Sequence, residues 1–207
     1  MYFKEINHYG DRGLIIDFGI ESSKDVSQEI NAAIIYLKNL KLPTLNTIPS
    51  YNKIVLHFNN TEDKQESIKT LEIVMKNFRP LDIKRPYKRW NIPTCYEPQY
   101  ALDLERVQKF HDLSIQEIIN LHTKKIYYNY YIGFMPGFPY LGEISSKLIT
   151  PRLSSPRVRI PARSVGIAKE HTCIYPKVSP GGWNIIAQVP FDIFSLDHSR
   201  TSLFLPG

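Results

Sequence analysis

Cysteine is scarce in this sequence: only Cys95 and Cys173 occur in 207 residues. They lack the close spacing of a zinc or redox motif, so neither a disulfide framework nor a metal site is expected, and both read as reduced thiols. Long apolar runs are missing as well. No stretch approaches the ~18 apolar residues of a membrane helix, and the start, Met1 to His8, has no basic segment leading into an apolar one. These absences point to the cytoplasm, with no membrane partner. There is also no Walker-type phosphate loop, no Gly-x-Ser-x-Gly elbow, no HExxH and no dinucleotide fingerprint. Self-contained ATP hydrolysis by a standard motif is therefore not expected, and nucleotide binding would be atypical or shared.

What is present is a globular composition, 43% hydrophobic and 12% aromatic, long enough for one large domain or two small ones. The net charge is +6 and the sequence pI near 9.2. From Lys147 to Phe191 the basic residues are Lys147, Arg152, Arg157, Arg159, Arg163, Lys169 and Lys177, against the single acidic Glu170. No helix-turn-helix, zinc finger or basic helix accompanies them, and the arginines sit among prolines and glycines as in loops around a pocket. Small anionic ligands are expected rather than nucleic acid.

The pattern divides near residue 85. Lys4 to Tyr9, the turn Gly10-Asp11-Arg12-Gly13 and Leu14 to Phe18 read as a hairpin. Val26, Ile30, Ala33, Ile34, Leu37 and Leu40 then recur at helical spacing after the candidate caps Ser22 and Ser23, and Ile68, Leu71, Met75 and Phe78 repeat the pattern. Lys53 to Phe58 between them reads as a strand, giving a ββαβα order and an α+β domain over 1–85. Arg79 to Arg89, with two prolines and four basic residues after Arg79, is the linker candidate. Past it, Ser114 and Glu117 form a capping box, with Leu113 and Ile118 at staple spacing, which predicts a short helix through about Leu121. From Ile126 the chain turns to aromatic and β-branched runs: Tyr127 to Ile132, Val158 to Ile160, Ser164 to Ala168, Thr172 to Tyr175 and Trp183 to Gln188. A mainly-β barrel over 86–207 is expected, closed by its strands.

The decapeptide Gly133-Phe134-Met135-Pro136-Gly137-Phe138-Pro139-Tyr140-Leu141-Gly142 resembles the signature of the family holding the B-type component of 5-oxoprolinase, allophanate hydrolase subunit 1 and the Kip-type histidine kinase inhibitors (carboxyltransferase domain, subdomains C and D). Thr150-Pro151-Arg152, Ser155-Pro156-Arg157, Arg159-Ile160-Pro161-Ala162, Ser164 to Ala168, Ile174-Tyr175-Pro176 and Ser179-Pro180-Gly181-Gly182-Trp183 follow at compatible spacing. Gly10-Asp11-Arg12, Ile48-Pro49-Ser50-Tyr51 and Leu121-His122-Thr123 extend the likeness over nearly the whole chain. The resemblance implies an N-terminal α+β domain, a cyclophilin-like β-barrel and a larger partner subunit of related barrel fold. Departures are His171 and Cys173, where the family commonly has Gln and Gly, and Tyr96 to Tyr100, where it usually starts Tyr-Gly. A Cys at a Gly position would strain or fill the site. The chain also stops at Leu205-Pro206-Gly207, short of the family's closing strand, so the barrel is expected to be completed by residues outside this sequence.

Three features carry the candidate chemistry. In the Phe134 to Leu141 loop, Pro136, Gly137 and Pro139 fix the backbone and are expected to expose Phe138 and Tyr140; tight turns over buried rings are the competing explanation. Arg152, Arg157 and Arg159 suit bidentate capture of a carboxylate or phosphate, and Arg157 and Arg159 share one strand face; a solvated basic surface is the alternative. His122 ends the capped helix, where it could move a proton or donate to an oxyanion, or merely complement the helix dipole. His171 and Tyr175 are further binding candidates. Pro180, Gly181, Gly182 and Trp183 could bring backbone N–H groups to an anion, or form a plain hairpin turn. Glu143, Glu170, Asp192 and Asp197 are scattered and form no carboxylate pair, so acid–base work would need a partner. His122, Arg157 and Arg159 are the catalytic candidates.

By resemblance, the expected activity is that of the B-type component of an ATP-dependent 5-oxoprolinase, which opens 5-oxoproline to glutamate with a larger subunit and a lactam hydrolase subunit, sharing ATP with its partner. Two alternatives stand beside it: a Kip-type regulator that binds a sensor histidine kinase, and half of a biotin-dependent carboxyltransferase acting on urea or a similar amide.

Overall fold

The computed structural model describes residues 3–19, 23–79, 88–197 and 201–207. They form two compact units, one up to residue 87 and one from Lys88 to Pro206. Most of the expected linker, and the candidate cap Ser22, lie outside the described residues. No described helix is long and apolar enough to cross a membrane.

In the first unit, strands β1 (Glu5–Tyr9), β2 (Gly13–Asp17), β3 (Thr44–Pro49) and β4 (Lys53–Phe58) pair antiparallel in the order β1-β2-β4-β3. Helices α1 (Lys24–Asn39) and α2 (Thr61–Asn77) lie between β2 and β3 and after β4. Ser23 caps α1, accepting the Val26 N–H, and Asn60 caps α2, accepting the Asp63 N–H. Alternate strand residues Leu14, Ile16, Ile54, Leu56 and Phe58 bury one sheet face against Val26, Ile30, Ala33, Leu71 and Met75. The expected ββαβα order is corrected to ββαββα. β3 carries exposed Leu45, Asn46 and Ile48 and ends on a proline, so it lacks the alternation that marks a half-buried strand.

The second unit opens with α3 (Leu104–His111) and α4 (Ile115–Thr123). The capping box on α4 is complete: Ser114 Oγ accepts the Glu117 N–H, and the Glu117 carboxylate accepts the Ser114 N–H. Then come β5 (Tyr128–Ile132), β6 (Pro139–Gly142), β7 (Arg157–Ile160), β8 (Ser164–Ala168), β9 (His171–Ile174), β10 (Ser179–Gly181) and β11 (Asn184–Gln188). Five of them form an antiparallel sheet, β11-β8-β9-β6-β5, and β7 pairs with β10 as a separate ribbon. The described strands are thus not closed by pairing into a ring. The outer edge of β11 is already occupied: Cys95 and Gln188 exchange backbone hydrogen bonds of 2.8 and 2.9 Å, and the Asp103 N–H reaches Ile185 O at 2.7 Å.

Alternation divides this sheet into two functional faces. Val165, Ile167, Ile174 and Ile186 pack with Leu104, Val107 and Ile118 of the helices. Ala168, Cys173, Tyr175 and Ile185 point the other way and pack with Ile160 of the ribbon, Trp183 and Phe138. The second face carries the candidate site.

Candidate functional site

The β5–β6 hairpin is built from two successive turns. The Met135 N–H bonds to Gly133 O at 2.8 Å around Phe134, whose φ is +68°, a tight three-residue turn that strains a side-chain-bearing residue. The Phe138 N–H bonds to Met135 O at 3.1 Å around Pro136 and Gly137, where φ is +78°. Proline followed by a positive-φ glycine is the pairing such a turn requires. A Cβ on Gly137 would also lie 2.5 Å from the Cβ of Phe194, so the position excludes a side chain on both counts. The expected exposure is corrected: Phe138 is 1% exposed, Tyr140 is intermediate, and Phe134 stands out at 61%. Gly137 and Pro139 are buried and Pro136 is exposed.

Phe138 anchors a wall of rings. Its centroid lies 5.1 Å from Tyr140, 5.1 Å from Tyr175, 5.9 Å from Trp183 and 5.3 Å from Phe134. Tyr140 continues the wall, 5.8 Å from Trp183 and stacked on Tyr131 at 4.3 Å with a 9° interplanar angle. A bulge in β5 makes this possible. Asn129 pairs with Leu141 and Tyr131 with Tyr140, so Tyr130 is the extra residue, and both Tyr130 and Tyr131 reach the same face. Gly181 is required beneath Tyr175, where a Cβ would fall 2.4 Å from the tyrosine oxygen. The Trp183 backbone N–H acts against the rise that burial gives the Tyr175 hydroxyl pKa.

The three arginines part ways. Arg157 reaches Asp103 through both guanidinium nitrogens, at 2.6 and 2.7 Å, and Asp103 is buried and also accepts the Ile185 N–H at 2.7 Å. The expectation that Arg157 and Arg159 aim together at a ligand is corrected, because the Arg157 fork ties the β7–β10 ribbon to β11. Arg159 is exposed on β7. Arg152 is exposed too, with its guanidinium carbon 5.9 Å from the Trp183 ring centroid. Its backbone is pinned on both sides: Asn184 Nδ2 donates to Pro151 O at 2.9 Å, and the Leu153 N–H donates to Gly182 O at 2.8 Å. Burial raises the hydroxyls of Tyr140 and Tyr175 and the thiol of Cys173, while the Arg152 charge acts against that rise at all three.

The histidines differ in the same way. His122 is buried, with Nδ1 2.6 Å from the Tyr96 oxygen and Nε2 3.0 Å from Thr172 Oγ1. Thr172 donates its own proton to Gly166 O at 3.1 Å, so it accepts from Nε2–H, and Tyr96 donates to Nδ1. Burial drives the imidazole pKa down to about 4. Both nitrogens are occupied, so the buried imidazole bridges Tyr96 and Thr172 and thereby links α4 to β9. His171 is half-buried at the end of the ring wall, 5.5 Å from Tyr130 and paired across from Gly142. Burial lowers its pKa, against the charges of Glu170 and Glu143. Cys173 fills rather than strains: it sits in the regular β8–β9 ladder opposite Gly166, its sulfur 3.3 Å from where a Gly166 Cβ would stand. Among the described residues no His, Cys, Asp or Glu group is arranged to hold a metal.

The motifs that are far apart in sequence, residues 133–142, 152, 175 and 181–183, thus meet on one sheet face. A family model, Carboxyltransferase domain, subdomain C and D, matches residues 4–204. The chain belongs to this family. The B-type component of the 5-oxoprolinase of Bacillus subtilis (strain 168) is 34% identical over 214 residues, covering 98% of this chain and 89% of that protein. The crystal structure of TTHA0988 aligns with a TM-score of 0.83 at 30% identity, over 95% of this chain and 38% of that one, so this chain spans little more than a third of that polypeptide. The urea amidolyase of K. lactis, 15% identical with a TM-score of 0.70 over 97% of this chain and 14% of that one, shares the fold.

In this carboxyltransferase-domain chain, sequence reasoning missed Asp103 and Tyr131. Asp103 stands 54 residues from Arg157 and its sequence neighbourhood carries no signal for that pairing. Tyr131 was legible only as one of several strand aromatics, because its place beside Tyr140 depends on the bulge.

Proposed function

We propose that this chain is the B-type component of a 5-oxoprolinase, acting with a larger barrel subunit and a lactam hydrolase subunit to open 5-oxoproline to glutamate at the expense of ATP. The observation that carries this reading is identity of 34% with a 5-oxoprolinase component of that type across 98% of the chain. The convergence of the family's signature segments on one ring-walled, arginine-edged face supports it. On this reading the second unit is a cyclophilin-like barrel whose remaining enclosure comes from its partner. The aromatic wall excludes water from one side of the substrate, and a cation stands at its edge. Arg157 is held by Asp103 through both guanidinium nitrogens and is engaged within the chain. On this reading ATP is shared with the partner subunit. The protein operates in the cytoplasm, where 5-oxoproline and ATP are both met.

Coexpression with the two other subunits tests this. A stable complex that releases ADP only when 5-oxoproline is added, and that loses this release when the present chain is omitted, is the expected result. A complex-free chain with no oxoproline-dependent ADP release would refute the assignment and favour the regulatory, kinase-binding reading.

A further inference from the structure

We propose that Arg152, set against the ring of Trp183 and the half-exposed face of Tyr140, is a subsite for one carboxylate of a small ligand, and that it discriminates against polyanionic phosphates. The inference rests on the reading above for the identity of the ligand, 5-oxoproline, but its geometric basis is separate.

Arg152 makes no hydrogen bond or ion pair with any described residue, whereas Arg157 is fully engaged by Asp103. Its charge nonetheless reaches Tyr140, Tyr175 and Cys173. It is therefore an unpaired cation beside an aromatic, water-poor wall. Its backbone is fixed on both sides by the bonds from Asn184 and to Gly182, so the guanidinium is presented by a rigid segment. Arg106 in turn donates to the Asn184 side-chain oxygen, which fixes the amide that holds Pro151. A planar guanidinium matches a carboxylate with two parallel bonds, and a low-dielectric flank strengthens them.

A phosphate chain needs more. Sites for di- and triphosphates gather several donors, backbone N–H groups or further cations. Here the Leu153 N–H beside Arg152 is already bonded to Gly182 O at 2.8 Å, and the Arg157 fork is bound to Asp103. One fork whose neighbouring Leu153 N–H and Arg157 guanidinium are already engaged suits one carboxylate. The apolar body of a five-membered lactam would rest on the ring of Tyr140, with its carboxylate on Arg152.

The test uses the reconstituted three-subunit complex with Arg152→Gln and Arg152→Lys. Arg152→Gln is expected to raise the KM for 5-oxoproline by roughly 10- to 100-fold, the range of a charged hydrogen-bonded pair. The KM for ATP should stay within about twofold. Arg152→Lys, which keeps the charge but loses the fork, should fall between. A binding readout on the free chain accompanies it: in a Trp90→Phe background, where Trp183 is the one remaining tryptophan, 5-oxoproline should change the fluorescence and 2-pyrrolidinone, the same ring without the carboxylate, should not. Turnover with an unchanged 5-oxoproline KM in Arg152→Gln overturns the subsite while leaving the enzyme reading intact. Equal rises in both KM values overturn the discrimination against phosphate. Fluorescence that responds to 5-oxoproline only with Arg152 present, in a complex without turnover, upholds the subsite and removes the enzyme reading.

Discussion

Two buried groups show how individual residues divide between fold and chemistry. Asp103 receives three hydrogen bonds, two from Arg157 and one from the Ile185 N–H, and so fixes the ribbon to the sheet edge. His122 is the clearer case, because its protonation state has a measurable consequence. Its pKa falls to about 4 from an ordinary 6.5, through burial. Between those values the unfolded chain binds a proton that the native protein does not. Stability is therefore complete above pH 6.5 and is lost as pH falls toward 4, by about 3 kcal/mol from this residue. Urea unfolding at pH 7 and pH 4.5 should show the loss, and His122→Asn should shrink it. His111 and His171 are lowered in the same direction, so the difference between variant and wild type isolates His122. An unchanged pH dependence in His122→Asn would mean that the imidazole is not held neutral.

At the scale of elements, the β5–β6 hairpin carries strain at one residue. Phe134 adopts φ +68° while remaining 61% exposed, so its conformation is imposed by the turn rather than by burial of its ring. Glycine adopts that region freely, and an L side chain costs about 1 kcal/mol there. Phe134→Gly is thus expected to be more stable than Phe134→Ala by about 1 kcal/mol, the reverse of the usual order, in which glycine is the less stable because its unfolded chain is freer. Thermal unfolding of the pair measures it, and the usual order would show that the turn imposes no left-handed conformation. The elements differ in how far they could be read from sequence. The capping box at Ser114 and Glu117, the periodic apolar residues of α1 and the boundaries of β8 are local signals, and they correspond to what is observed. Helix α3 offered just two buried apolar residues, Leu104 and Val107, and β6 begins on Pro139 inside a motif that reads as a loop. The site was legible as motifs but not as roles. Which arginine is free depends on Asp103, and which aromatic is exposed depends on a γ-type turn, neither of which leaves a mark in linear order.

For the whole molecule, the two units have separate cores, one around Leu56 and Leu71 and the other around Ile167 and Ile186. Both tryptophans, Trp90 and Trp183, belong to the second. Tryptophan fluorescence therefore reports on the second unit alone, whereas far-ultraviolet circular dichroism, which follows helix and strand, reports on both. Units with their own cores unfold as separate cooperative bodies. Leu56 is buried in the centre of β4, and Leu56→Ala should destabilise the first unit by about 2–5 kcal/mol through lost transfer energy and the cavity left behind. The expected result is an early dichroism transition that moves to lower denaturant, while the fluorescence midpoint stays where it is in the wild type. Should the fluorescence midpoint move by an equal amount, the two units unfold as one body, and the aromatic face would draw stability from the N-terminal sheet as well as from its own core.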